Sequence, residues 1–111
     1  MRTSVLSSLA SGPLHGYGIV GDIEESTGGR LRPPVGSLYR VLDALTRDGL
    51  IEEDRAEVVD GRYRRYCRLT PTGRTALVEA VDVMEAVAAT ARTRLASRRA
   101  TPALGTNGGV A

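Results

Sequence analysis

Two sets of side chains in this 111-residue chain are equipped to bind rather than to react. The first is Arg62, Arg64 and Arg65, with Tyr63 interleaved; guanidinium groups meet phosphate both as charges and as forked N–H donors. The second is Ser37, Tyr39 and Arg40, a hydroxyl, a phenol and a guanidinium within four positions. Hydroxyls of this kind bond phosphate oxygens or base edges, and an arginine pairs with the two acceptors of a guanine edge. Both sets point to double-stranded DNA as the partner.

Catalysis finds far less to work with. His15 is the only histidine and Cys67 the only cysteine, which leaves no material for a hydrolase triad, a multi-cysteine zinc site or a disulfide. Gly28-Gly29 reads as a helix stop rather than a phosphate-cradling loop, and no spaced carboxylate pair stands out. The expectation is a protein that is not an enzyme and has no catalytic residues, metal or cofactor. His15 is expected at a helix start near the surface and Cys67 as a buried, inert thiol.

The elements that must position these groups can be read from periodicity. Thr3 to Ala10 suits a first helix with Val5, Leu6 and Leu9 on one face, ended by Ser11-Gly12-Pro13. Tyr17, Ile19, Val20 and Ile23 mark a second helix that Gly28-Gly29 stops, with Gly18 and Gly21 inside it lowering its propensity. Pro34 suits the first position of a third helix, in which Leu38, Val41, Leu42 and Leu45 recur up to Gly49. The helical period then leaves Ser37, Tyr39, Arg40, Asp43 and Arg47 pointing outward.

Leu50 to Val59 and Tyr63 to Leu69 read as two strands closed by Asp60-Gly61-Arg62, a two-stranded wing. Its charges are segregated: Glu52, Glu53, Asp54 and Glu57 on the first strand, Arg62, Arg64, Arg65 and Arg68 on the turn and second strand. Cross-strand ion pairs explain this segregation in one way, phosphate or minor-groove contacts in another. Thr70 is placed to cap a last helix beginning at Pro71 and running to about Arg98. Within it Leu77, Val81, Met84, Ala88, Ala91 and Leu95 follow the alternating three- and four-residue steps of a coiled-coil seam, so the helix is expected to dimerise through them.

The organisation is therefore mainly α with a small β-hairpin. Residues 1–70 form a winged helix-turn-helix domain, residues 71–99 a long C-terminal dimerisation helix, and residues 100–111 a disordered tail. In the winged-helix plan the third helix enters the major groove and the hairpin meets the backbone beside it. The hydrophobic fraction of 41% and charged fraction of 25% suit a soluble globular chain. No apolar run approaches the roughly 20 residues of a membrane span, no secretory signal is evident, and a cytoplasmic protein is expected. All 15 basic residues are arginine, as phosphate recognition or a GC-rich genome would each produce.

Four segments in order resemble one family: Gly12-Pro13-Leu14-His15-Gly16-Tyr17, Gly36-Ser37-Leu38-Tyr39, Asp48-Gly49-Leu50-Ile51, and Tyr66-Cys67-Arg68-Leu69-Thr70-Pro71-Thr72-Gly73. They are similar to the successive signatures of PadR-like transcriptional regulators, over about Val5 to Leu77. The resemblance implies a homodimeric winged-helix repressor of the short subfamily that binds a roughly palindromic operator and is often released by a small molecule. It matches Ser37 and Tyr39 to the DNA-facing positions of the recognition helix and Arg64 and Arg65 to those of the wing. Tyr17 falls on the tyrosine of the family's HGY motif, as a packing residue or a phosphate contact. Pro34 departs from the usual Ser or Thr cap, and Arg40 from a frequent proline. With no Trp or Phe, the chain lacks the aromatic sandwich by which some relatives bind flat drugs. A gap lined by Met84 for a small hydrophobic ligand competes with a plain coiled-coil core. A dimeric winged-helix adaptor without DNA binding is the alternative from another functional class.

Overall fold

The computed structural model of the chain describes residues 1–100. The tail expected over residues 100–111 lies outside the described residues from residue 101 on. In chain order the elements are α1 (Arg2–Ser8), a 3-10 turn (Leu9–Ser11), β1 (Leu14–His15), α2 (Gly16–Ser26), α3 (Val35–Arg47), β2 (Ile51–Val59), β3 (Arg62–Leu69) and α4 (Pro71–Ala100). Residues Met1–Val78 make one compact unit and the chain from Glu79 another, so the division falls inside α4 rather than before it.

The first unit is held by an aliphatic core. Val5 and Leu6 come from α1 and Leu9 from the 3-10 turn after it, Ile19, Val20 and Ile23 from α2, Leu38, Leu42 and Leu45 from α3, and Ile51 is the first residue of β2. Leu14, Val41, Leu50, Cys67, Leu69 and Leu77 pack around it, partly buried. The helical period expected on α3 is the one that packs, since burying Leu38, Leu42 and Leu45 turns the opposite face to water.

Element ends follow local chemistry. His15 caps α2 by accepting the Gly18 N–H on Nδ1 at 3.1 Å, the helix-start role expected of it. The end of α3 closes with Leu50 N–H donating to the Leu45 carbonyl at 3.0 Å and Gly49 N–H to Thr46 at 3.1 Å. This closure puts Gly49 at φ +75, where a side chain would be strained. Thr70 caps α4 as expected: its Oγ1 accepts the Gly73 N–H at 3.0 Å and donates to the Gly49 carbonyl at 2.6 Å, tying the two helix junctions together.

Several boundaries differ from expectation. α1 is regular only to Ser8 and tightens into the 3-10 turn before Gly12-Pro13. Pro34 is the residue before α3, extended at φ −61 and ψ 141, and the helix starts at Val35. Its carbonyl accepts the Leu38 N–H, so it serves as a cap position without a capping side chain. The sheet has three strands in the order β1-β3-β2, because Leu14 and His15 pair with Cys67 and Tyr66. The basic strand is thus central, and the two-stranded wing is its free extension with β2.

Candidate nucleic-acid interface

On α3 the outward side chains stand where the helical period requires. Ser37 is half-buried, while Tyr39, Arg40, Asp43 and Arg47 are exposed. Without a capping side chain, the first-turn N–H groups of α3 beside Ser37 remain open to a phosphate or a carboxylate. Tyr39 is held in place, since its ring lies across the start of α2. A Cβ added to Gly16 would stand 2.7 Å from the Tyr39 hydroxyl oxygen and 3.1 Å from Cζ. Only glycine at position 16 leaves this tyrosine room, and its ring stays 48% exposed there.

The wing closes on Asp60 and Gly61, both at positive φ (52 and 76), the backbone of the tight turn that matches strand twist. From there the register pairs Val59 with Arg62 and Arg55 with Tyr66. A bulge between Glu53 and Arg55 then brings Glu53 opposite Cys67. The extra residue, Asp54, turns Arg55 onto the face carrying Arg64 and Tyr66.

This register divides the arginines. Arg65 donates through Nε to Glu53 at 3.0 Å. Arg68 binds Glu52 and Asp54, each at 2.9 Å through Nε and Nη1. Arg55 is held by Asp54 at 2.9 Å and by Glu57 at 3.4 Å. The carboxylates hold the Arg55, Arg65 and Arg68 guanidinia more firmly protonated. Arg62 and Arg64 join no ion pair among the described residues. Ion pairing therefore accounts for Arg65 and Arg68 in the charge segregation seen in the sequence and leaves Arg62 and Arg64 without a carboxylate among the described residues.

One cluster was not legible beforehand. β1 brings His15 beside Tyr66, the rings edge to face at 5.2 Å, and the Arg55 guanidinium lies over the Tyr66 ring at 4.1 Å. Arg64 lies over the Tyr17 ring at 4.9 Å, so the tyrosine left open between packing and phosphate packs beneath an arginine and is still 49% exposed. Burial, and then the Arg64 charge, lower the His15 pKa below its ordinary 6.5. The signal available in sequence was the alternation of Arg64 and Tyr66 on one strand face; the missing part was the two-residue β1. Behind the opposite face, a cleft of 390 Å³ runs between α3 and the wing, lined by residues that include Tyr39, Asp43, Arg47, Arg65 and Cys67. Cys67 is half-buried rather than buried, and its burial pushes the thiol pKa up.

Residues 5–79 match the sequence family described as the transcriptional regulator PadR-like family. The chain belongs to that family. It is 38% identical over 88 residues to the transcriptional regulator Rv3488 of Mycobacterium tuberculosis, covering 79% of this chain and 78% of that protein. It is 48% identical over 82 residues to an uncharacterised 37.1 kDa protein of transposon Tn4556 from Streptomyces fradiae, 69% of this chain but only 22% of that protein, of which it spans about a fifth. The structure of Bacillus subtilis PadR in complex with operator DNA superposes with a TM-score of 0.64 at 25% identity, over 72% of this chain and 45% of that one.

As a PadR-like chain it is a transcriptional regulator and not an enzyme, and its mostly helical fold with a small antiparallel sheet is that of the family's winged helix. Among the seam residues expected on α4, Leu77 is drawn into the core of its own unit. Val81, Met84 and Leu95 are 40%, 57% and 67% exposed, and Ala88 and Ala91 are exposed beside them. No helix among the described residues is long and apolar enough to cross a membrane.

Proposed function

We propose that this PadR-like chain is a sequence-specific DNA-binding regulator that acts as a cytoplasmic homodimer of the repressor type on a roughly palindromic operator. α3 enters the major groove with Ser37, Tyr39 and Arg40 toward base edges and phosphates, and the wing tip meets the flanking backbone. The observation that carries the reading is the division of charge in the wing. Three of its arginines are neutralised by carboxylates, while Arg62 at the tip and Arg64 over Tyr17 keep their charge for a partner. The relative bound to operator DNA supports the same partner. Arg65 joins the contact by exchanging Glu53 for a phosphate. Val81, Met84, Ala88, Ala91 and Leu95 supply the dimer contact, and a small hydrophobic molecule acts as inducer.

The test is binding of the purified protein to the upstream region of its own gene at two salt concentrations, with its mass in solution. A dimer that protects a two-fold symmetric site and weakens steeply with salt is the expected result. A dimer with no DNA preference at either salt would overturn the reading in favour of a protein-interaction adaptor.

A further inference from the structure

DNA binding leaves the cleft between α3 and the wing unused. Its floor is apolar, with Leu42 buried and Cys67 half-buried. Asp43 and Arg47 of α3 and Glu53 and Arg65 of the wing also line it, two carboxylates against two guanidinia. A DNA phosphate brought here meets as much negative charge as positive, so the cleft is no seat for the backbone. Glu53 and Arg65 hold each other. Asp43 and Arg47 join no ion pair among the described residues, although they lie four residues apart with the acid first, the spacing and order at which helix side chains pair best. They present one anion and one cation about 6 Å apart along the helix axis, beside an apolar floor. At 390 Å³ the cleft falls in the range of about 300–1,000 Å³ in which small molecules bind, and none of its lining residues belongs to α4.

We propose that this cleft binds a small zwitterion of the amino-acid type with an apolar side chain, and that its occupancy opposes DNA binding. The second half rests on the DNA-binding reading above. The ligand's ammonium meets Asp43, its carboxylate takes the forked N–H donors of Arg47, and its side chain covers Leu42 and Cys67. A molecule with one charge does worse: an organic anion is set beside Asp43 with nothing to offer it, and an organic cation likewise beside Arg47. Tyr39 couples the cleft to the DNA face, because it lines the cleft while its ring lies against Gly16 at the start of α2. A molecule seated between α3 and the wing packs on that ring and holds it away from the groove. The coupling is reciprocal, so bound DNA weakens the ligand by the same factor.

The experiment titrates the full-length protein by calorimetry with L-leucine and L-phenylalanine, and with 3-methylbutylamine, 4-methylpentanoate, phenethylamine and 3-phenylpropanoate, the same molecules lacking the carboxylate or the ammonium. At least one amino acid should bind with a Kd below about 1 mM, and loss of either charge from it should cost at least about tenfold. Asp43→Asn and Arg47→Gln, both at exposed positions, should each weaken the amino acid by about tenfold. A saturating amino acid should lower operator affinity at least about fivefold in the unmodified protein, with a smaller effect in Asp43→Asn at the same concentration. An amine or acid that binds as tightly as its parent, full affinity in either variant, or no binding by both amino acids overturns the assignment. Binding that needs Asp43 and Arg47 yet leaves operator affinity unchanged overturns the opposition to DNA. A protein that ignores the operator with no amino acid present overturns the DNA-binding reading itself, and the titrations still decide the cleft.

Discussion

Replacing Arg62 and Arg64 together by alanine removes the two wing guanidinia that have no carboxylate partner. Each phosphate neutralised by a cation releases condensed counterions, and the logarithm of the binding constant then falls against the logarithm of salt with a slope of about −0.9 per contact. Two contacts per wing and two wings per dimer shift that slope by about 3.6. Between about 50 and 200 mM salt the unmodified protein should therefore lose roughly 150-fold more affinity than the variant. Arg65→Ala with Arg68→Ala should shift the slope by less than half as much. Those arginines must first leave Glu53, Glu52 and Asp54, and the released carboxylates restore negative charge beside the DNA. Fluorescence anisotropy of a labelled operator at four salt concentrations measures both slopes, with circular dichroism confirming that each variant is folded. Equal shifts for the two double variants, or no shift for the first, would refute the assignment of free and occupied cations.

Other perturbations follow from single contacts. Gly73→Ala drives a Cβ into the backbone carbonyl oxygen of Leu50, a clash no side-chain rotation relieves; urea unfolding should show a loss at or above the upper end of the usual 1–3 kcal/mol for overpacking, about 3 kcal/mol. Gly16→Ala presses instead on the far end of the Tyr39 ring, so DNA affinity should fall at least about tenfold with less than about 1 kcal/mol lost in stability, a ratio that reverses if Tyr39 plays no part in binding. His15 must be neutral at Nδ1 to cap α2, and its pKa in the folded chain is lowered from 6.5. The unfolded state therefore takes up the proton first: the contribution to stability is complete above pH 6.5 and is lost as pH falls below it toward the folded value. Urea midpoints between pH 7 and pH 5.5 should decline in the unmodified protein and decline less in His15→Asn, which caps without titrating; parallel declines would remove His15 as the cause.

Much of the fold is written in local pattern. The buried stripe of α3, the Asp60-Gly61 turn and the Thr70-Pro71 start of α4 each depend on residues within a few positions of one another, and each is where periodicity or capping chemistry puts it. The groups exposed on α3 followed for the same reason, because burying Leu38, Leu42 and Leu45 fixes the direction of every other side chain on that helix. The sequence by itself thus determined the order of the four helices and the wing, the outward face of α3 and the segregation of charge along the chain. Which arginines are occupied was decided only in three dimensions. A β-strand alternates its side chains with a period of two, so the single extra residue at Asp54 reassigns everything on its far side. Arg55 reaches Tyr66 through that shift, as Arg64 reaches Tyr17 only because the two residues of β1 dock on β3. The second contact joins residues 47 positions apart and the first residues 11 apart, and both depend on register and docking, which no local spacing encodes.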